Sequence, residues 1–199
     1  METLRLVVVS AGLRQPSSTR LLADRLTAAA ERELRRHGRD VHVRVIELRD
    51  LAVGIANNLV TGFPNAELGD AQRAVEQADG LIVVSPIFSA SYSGLFKSFF
   101  DLIDPAALTG TPVLIAATGG SARHSLALEH ALRPLFSYLH ATVVPTAVYA
   151  ATEDWGAEAA EFVGRIDRAA GELALLLASR ETKEEIDDDV IPFETLLAG

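Results

Sequence analysis

Residues 4–20 read LRLVVVSAGLRQPSSTR, an apolar run that breaks into a glycine, an arginine and a cluster of hydroxyl side chains. The helix-period segment LLADRLTAAAERELRR follows at residues 21–36, so we expect a strand, a loop and a helix in series. A loop that opens a helix holds anions well, because free backbone N–H groups and the helix dipole point at the ligand. The stretch has neither the G-x-G-x-x-G of dinucleotide loops nor the G-x-x-x-x-G-K-[ST] of nucleoside triphosphate loops. It therefore predicts an α/β protein with a different kind of phosphate loop.

Apolar runs alternate with helix-period segments along the rest of the chain. The predicted strands are residues 4–9, 41–48, 80–85, 111–118 and 141–150, and the predicted helices are residues 18–36, 68–78, 94–103, 124–139 and 157–178. Right-handed crossovers between these elements predict a doubly wound parallel sheet of five strands in the order 2-1-3-4-5, with helices on both faces. Ligands of such sheets bind at the carboxyl ends of strands 1 and 3, where the strand order reverses. We interpret residues 49–67 as one long connection and a candidate mobile lid.

Length, cysteine content and net charge limit the classes of function that the chain can have. The 199 residues suit one domain, which we place at residues 1–178, followed by an acidic tail at 179–199 that contains ETKEEIDDD at 181–189. The absence of cysteine excludes disulfides and thiolate chemistry, so redox chemistry would need a bound cofactor, and we assign no metal site. A net charge of −9 argues against nucleic acid or an anionic membrane as a partner. No signal peptide or membrane span is recognisable, so we expect a cytoplasmic protein.

Three loops fall at the carboxyl ends of predicted strands 1, 3 and 4. In the first, Ser17, Ser18 and Thr19 stand where the helix begins and Arg14 adds a charged donor, a combination typical of an anion site. Helix capping by Ser17 or Ser18 explains the same pattern.

The second loop is SPIFSASYSGLFK at residues 85–97. Pro86, Phe88 and Tyr92 would form an apolar wall, small serines supply polar groups, and Gly94 allows close backbone approach. These features suit the edge of a flat polar ring. An ordinary turn with a helix cap at Ser93 is the alternative.

The third loop is ATGGSARHS at residues 117–125. Gly119 and Gly120 permit close approach and positive φ, and the amides up to Ser121 can point at a carbonyl-bearing ring. A turn alone would also use two glycines. One phosphate and one planar ring together fit flavin mononucleotide (FMN). A dinucleotide fits less well: Glu47 or Asp50 would serve its ribose, but the glycine fingerprint is missing.

Residues 4–150 resemble the NADPH-dependent FMN reductase family, which has a flavodoxin-like fold. Arg14, Ser17 and Thr19 are similar to that family's phosphate motif of Arg, two spacers, Ser, any residue and Asn or Thr. SPIFSASYSGLFK, ATGGSARH and LALEHALRPLFSYLHA resemble the branch that supplies reduced FMN to two-component, luciferase-like and alkanesulfonate flavin monooxygenases. The resemblance implies hydride transfer from NADPH or NADH to FMN, a partner flavin-dependent monooxygenase, and a homodimer or homotetramer. The cofactor carries the chemistry, so no catalytic acid or nucleophile is implied.

The resemblance also implies roles for individual residues. The FMN-binding candidates are Ser10, Arg14, Ser17, Ser18, Thr19, Pro86, Ile87, Phe88, Ser89, Ser91, Thr118, Gly119, Gly120 and Ser121. Arg123 and His124 are candidates for NADPH, although His124 could simply cap its helix. His130 matches a residue inserted as a π-bulge near the flavin and the subunit interface in that branch, and it and His124 are candidate modulators. Lys97 and Asp101 are interpreted as structural, and helix 94–103 as core or as part of a subunit interface.

Two other functions remain open from the sequence. A relative that retains FMN would reduce quinones, azo dyes or metal ions instead of free flavin. A flavodoxin-type electron carrier would bind FMN without turnover of NAD(P)H.

Overall fold

A computed structural model describes residues 3–156 and 160–180. Residues 181–199 of the predicted acidic tail and residues 157–159 of the predicted last helix lie outside the described residues. The strands are β1 (Leu4–Ser10), β2 (Val41–Glu47), β3 (Gly80–Phe88), β4 (Ser91–Tyr92), β5 (Pro112–Thr118), β6 (Thr142–Val143) and β7 (Val148–Ala150). The helices are α1 (Ser18–Arg36), α2 (Ala52–Thr61), α3 (Ala66–Glu76), α4 (Gly94–Phe100), α5 (Arg133–Tyr138) and α6 (Ala160–Ala178).

The sheet has the predicted order. Strands run β2-β1-β3-β5-β6 with parallel pairing, which is 2-1-3-4-5 among the five predicted strands. β4 forms an antiparallel hairpin with β3, and β7 lies beside β5. The flavodoxin-like doubly wound fold is therefore confirmed, with two short strands added.

The prediction of one continuous strand at residues 141–150 was wrong in its middle. Pro145 has no N–H to donate, and the neighbouring Thr146 N–H and hydroxyl both donate to the Glu172 carboxylate at 2.7 Å. The Arg133 guanidinium donates to the Val144 and Pro145 carbonyls at 3.2 and 3.1 Å. Side chains thus bond the Val144 and Pro145 carbonyls and the Thr146 N–H, and the strand divides into β6 and β7.

The helix predictions need three corrections. The connection at residues 49–67 contains α2, a helix that ends at Gly62 with a left-handed φ of 80°, so it is not one irregular loop. Residues 124–139 are not one regular helix, because a 3₁₀ turn (Ala122–His124) and a π-helical turn (Leu128–Leu132) precede α5. The predicted helix 94–103 ends as α4 at Phe100.

Both faces of the sheet are buried. Val7, Val9, Leu81 and Val83 face α2 to α5, whereas their neighbours along the strands face α1 and α6. This alternation buries every central strand on both sides, as expected for parallel sheets. The apolar side chains of α4 (Phe96, Phe99 and Phe100) lie in this core. No helix among the described residues is long and apolar enough to cross a membrane.

Candidate functional site

The three loops meet at one edge of the sheet. Ser10 at the end of β1 pairs in register with Val84 of β3, and Pro86 of β3 pairs with Thr118 at the end of β5. The loops that follow these strands are therefore neighbours. This placement follows from the strand order, as the sequence predicted.

The first loop leads into the N-terminus of α1. Ser17 is the N-cap, and its hydroxyl accepts from the Arg20 N–H at 3.2 Å, so the capping interpretation is correct. A Cβ on Gly12 would lie 2.1 Å from the Ser17 Oγ, so the loop folds back on its own cap only with glycine there. The sequence analysis assigned no role to Gly12, although a glycine two residues after a strand indicates a tight turn. Capping occupies one Ser17 lone pair, and the anion role of Ser17, Ser18 and Thr19 stays a prediction.

A buried hydroxyl pair joins the first loop to the third. The Thr19 and Thr118 Oγ1 atoms lie 2.8 Å apart, and the two side chains are 3% and 4% exposed. Each hydroxyl can donate and accept, so the pair keeps capacity for a further hydrogen bond. Ser10 lies at the same edge, fully buried, and its Oγ has no hydrogen-bond partner among the described residues. Polar groups at the edge are thus available to a ligand.

The second loop is a β-hairpin closed by a two-residue turn. Ile87 lies opposite Tyr92 and Phe88 opposite Ser91, and the two turn residues, Ser89 and Ala90, have φ of 48° and 68°. Residues other than glycine rarely adopt such backbone angles, and backbone strain of this kind is often found at ligand sites.

Two serine side chains hold the hairpin in place between β3 and α4. The Ser85 hydroxyl accepts from the Ser93 N–H at 2.9 Å, and the Ser93 hydroxyl caps α4 by accepting from the Phe96 N–H at 3.1 Å. The helix cap at Ser93, which belonged to the alternative interpretation of this loop, is therefore present. Phe88 is 48% exposed at the rim, whereas the side chain of Ile87 is buried in the core. Contact of Ile87 with a flat ring would use its backbone.

The third loop departs from expectation at its glycines. Neither Gly119 nor Gly120 has positive φ, which among the described glycines occurs at Gly38, Gly62 and Gly110. Gly119 is needed for another reason, since a Cβ there would lie 2.0 Å from the Tyr149 hydroxyl oxygen. A Cβ on Gly120 would meet nothing within 4 Å, which leaves open space at the mouth of the site.

Tyr149 is a site residue that the sequence reading missed. Its hydroxyl donates to the Ser121 carbonyl at 2.8 Å and so ties the third loop to β7. Burial, and then the charge of Asp154, raise the pKa of the Tyr149 hydroxyl, which therefore keeps its proton. Beyond Ser121, Arg123 and His124 stand exposed on the 3₁₀ turn at the rim.

His130 lies in the π-helical turn Leu128–Leu132, so the bulge implied by the family resemblance is present. The turn borders a cavity of about 710 Å³ that is also lined by Tyr92, Lys97, Asp101 and Tyr138. Lys97 and Asp101 form an ion pair one helical turn apart, which raises the pKa of the lysine. The cavity shares Ser91 and Tyr92 of β4 with the hairpin of the second loop. The structure thus places His130 on a cavity next to the second loop.

The ribose role considered for Glu47 is disfavoured. One carboxylate oxygen of Glu47 pairs with the Arg20 guanidinium, and the other lies 2.8 Å from the Arg49 guanidinium. Both oxygens are therefore engaged within the chain. Asp50 is exposed and lies 3.4 Å from Arg49.

The residues present fit FMN. Hydroxyls and free amides at the α1 N-terminus, with the exposed Arg14, suit a phosphate monoester. The hairpin and the Gly119–Ser121 segment flank an open edge with an orphaned buried hydroxyl at Ser10, which suits a polar ring. Hydride chemistry would come from the flavin when it is bound, and the chain's part is to hold and orient it.

Comparisons with known proteins identify the family of the chain. Residues 4–156 match the sequence model of the family described as NADPH-dependent FMN reductase. An FMN reductase (NADPH) of Pseudomonas aeruginosa is 44% identical over 151 residues, which cover 76% of this chain and 78% of that protein. The NADH-dependent FMN reductase SfnF of Pseudomonas putida is also 44% identical over 151 residues, 75% of this chain and 78% of that protein.

A solved structure shows the same fold at similar identity. An oxidoreductase from Corynebacterium diphtheriae is 49% identical and superposes with a TM-score of 0.88, covering 91% of this chain and 100% of that chain. The match of the family model over the sheet and all three loops, together with these relatives, establishes that the chain belongs to the NADPH-dependent FMN reductase family.

Proposed function

We propose that this chain reduces FMN with NADPH or NADH and releases the reduced flavin to a partner flavin-dependent monooxygenase. The enzyme class and the FMN and NAD(P)H requirement follow from the family to which the chain belongs. The observation that carries the site assignment is the meeting of the phosphate loop and the two ring loops at adjacent strand ends, joined by the Thr19–Thr118 hydroxyl pair.

Different residues of the chain would bind the two ends of the flavin. At the phosphate end, Arg14, Ser17, Ser18 and Thr19 would supply charge-assisted hydrogen bonds. At the ring end, Pro86, Ile87, Phe88, Ser89 and Ser91 would line one side, and Thr118, Gly119, Gly120 and Ser121 the other. The Ser10 hydroxyl would donate a hydrogen bond to the ring or accept one from it.

Binding of the nicotinamide is assigned to the outer rim. Arg123 and His124 are exposed on the turn that follows the ring loop, where a guanidinium could meet the 2′-phosphate of NADPH. The two Pseudomonas relatives are equally similar to this chain, yet one is named for NADPH and the other for NADH. Preference between the two nucleotides is therefore a property to measure.

Delivery of reduced flavin to an oxygenase is supported by the openness of the site. Phe88 is about half exposed, and the space next to Gly120 is free, so flavin can enter and leave without disturbing the core. Flavin would act as a diffusible substrate. We also propose a cytoplasmic homodimer or homotetramer.

Steady-state oxidation of NADPH and NADH, with and without added FMN, tests the proposal. We expect turnover that depends on added FMN, together with loss of flavin from the protein on dialysis. Protein that stays yellow after dialysis and reduces quinones far faster than free FMN would instead be a flavin-retaining reductase. If neither NADPH nor NADH bleached flavin absorbance in stopped flow, both enzyme functions would be excluded and an electron carrier would remain.

A further inference from the structure

The phosphate loop has little backbone support of its own. Leu13, Arg14, Gln15 and Pro16 are exposed, and among the described residues no backbone-to-backbone hydrogen bond involves residues 12–16. A loop of this kind must be held by side chains if its N–H groups and its arginine are to stay in place for a ligand.

Arg49 supplies this support from the turn after β2. Its guanidinium donates to the Arg14 carbonyl at 3.2 Å. With the Gln15 side-chain amide turned so that its oxygen faces Arg49, that oxygen accepts hydrogen bonds from both terminal guanidinium nitrogens of Arg49, at 3.0 and 2.6 Å. The side chain of Arg49 is only 18% exposed, so packing around the guanidinium limits its movement.

Glu47 holds Arg49 in turn. One oxygen of the Glu47 carboxylate lies 2.8 Å from Arg49, and the other pairs with Arg20 of α1. A single carboxylate therefore connects the end of β2, the phosphate loop and the first turn of α1. Glu47 and Asp50 also balance the charge of Arg49, so Arg49 acts through directed hydrogen bonds and not as a free positive charge.

We propose that Arg49 is a positioning residue for the phosphate of FMN: it fixes the Arg14–Gln15 segment so that the Arg14 side chain and the α1 N-terminus face the phosphate. The proposal rests on the assignment of FMN to this site. Its consequence is selective, because only a flavin that carries the phosphate uses the loop. Riboflavin, which has the same ring and no phosphate, should not depend on Arg49.

The test measures dissociation constants of FMN and riboflavin by flavin fluorescence for the full-length protein and its variants. We expect Arg49→Gln to weaken FMN binding by roughly tenfold or more, the factor for one lost charge-assisted hydrogen bond, and to leave riboflavin binding within about twofold. Arg49→Lys keeps the charge but cannot reach two acceptors in fork geometry, so it should restore FMN binding only in part.

Arg44→Gln is the matched control. Arg44 lies on β2, just before the turn that carries Arg49, and its guanidinium pairs with Asp70, so both flavins should bind this variant as they bind the wild type. Unchanged FMN affinity in Arg49→Gln, or equal weakening of FMN and riboflavin in both Arg49 variants, would overturn the proposal. A wild type that binds neither flavin would instead remove the proposed function, and the proposal with it.

Discussion

Gly119 and Tyr149 compete for one space at the end of β5, since a Cβ on Gly119 would lie 2.0 Å from the tyrosine hydroxyl oxygen. In Gly119→Ala, Tyr149 must move and lose its bond to the Ser121 carbonyl. We expect a loss of about 1–3 kcal/mol in the free energy of unfolding and weaker flavin binding. Urea unfolding and a flavin titration would measure the two effects.

Two further variants isolate the cause. Gly120→Ala adds the same methyl group where nothing lies within 4 Å, so we expect a change within about 0.5 kcal/mol. Tyr149→Phe combined with Gly119→Ala removes the clashing oxygen, so the pair should cost less than the sum of its members. Additive costs would show that the clash is not the reason for Gly119.

Tyr149 also predicts a pH effect. Burial, and then Asp154, raise the pKa of this hydroxyl above the ordinary value of about 10. The folded state therefore keeps a proton that the unfolded state releases, so the stabilisation is complete below about pH 10 and is lost as pH rises further. Unfolding free energies at increasing alkaline pH should fall for wild type and fall less steeply for Tyr149→Phe. Equal slopes in the two proteins would contradict the assignment.

The hydroxyls of the phosphate loop give a third residue-scale prediction. The double change Ser17→Ala with Ser18→Ala should weaken FMN binding by about 1–3 kcal/mol, because bonds to a charged group are lost. Loss of the Ser17 cap should also lower stability by about 1 kcal/mol, so thermal unfolding has to be recorded alongside the isothermal titration. An unchanged FMN affinity would mean that this loop holds something else.

Among the elements, α4 places the hairpin on the core through an aromatic cluster. Phe100 contacts Phe96 and Phe136 with ring centroids 4.8 and 5.0 Å apart, and it is 1% exposed. Phe100→Ala should cost about 3–5 kcal/mol of unfolding free energy, measured by denaturant titration. Phe63→Ala removes an equal side chain that is 80% exposed and should change stability by less than about 0.5 kcal/mol. Similar losses in both variants would contradict the burial argument.

Element predictions succeeded where local signals were strong. The bounds of α1 were predicted as observed, because a serine cap precedes it and Gly38, with a φ of 68°, follows it. Helical spacing gives α6 an apolar stripe of Phe162, Ile166, Ala169, Leu173 and Leu176; the first four are buried, whereas Leu176 is only partly buried. The helix α2 was missed, since it buries only Gly54, Ile55 and Asn58 and leaves Val60 exposed, which blurs its helical pattern.

At the scale of the whole molecule, the domain boundary is a prediction to test by truncation. A Cβ on Gly80 would lie 2.8 Å from the Leu177 side chain, and Arg180 donates to the Gly110 carbonyl at 2.6 Å, so the chain contacts the rest of the fold through α6 and as far as Arg180. A chain ending at Arg180 should melt within about 2 °C of the full chain. A chain ending at Ala170 loses the buried Leu173 and Leu177 and should not fold. A large fall in melting temperature for the longer fragment would place the acidic tail within the domain.

The fold class, the strand order, the three loops at one sheet edge and the family are predictable from the sequence, because they depend on periodicity, caps and local motifs. The need for glycine at position 119, the pairing of hydroxyls, the division of the last strand and the support of the phosphate loop by Arg49 are visible only in the folded chain. Each of these rests on contacts between residues far apart in the chain, such as Thr19 with Thr118 or Arg49 with Arg14. Local sequence patterns cannot predict such contacts, because the contacts form only when the strands assemble into the sheet.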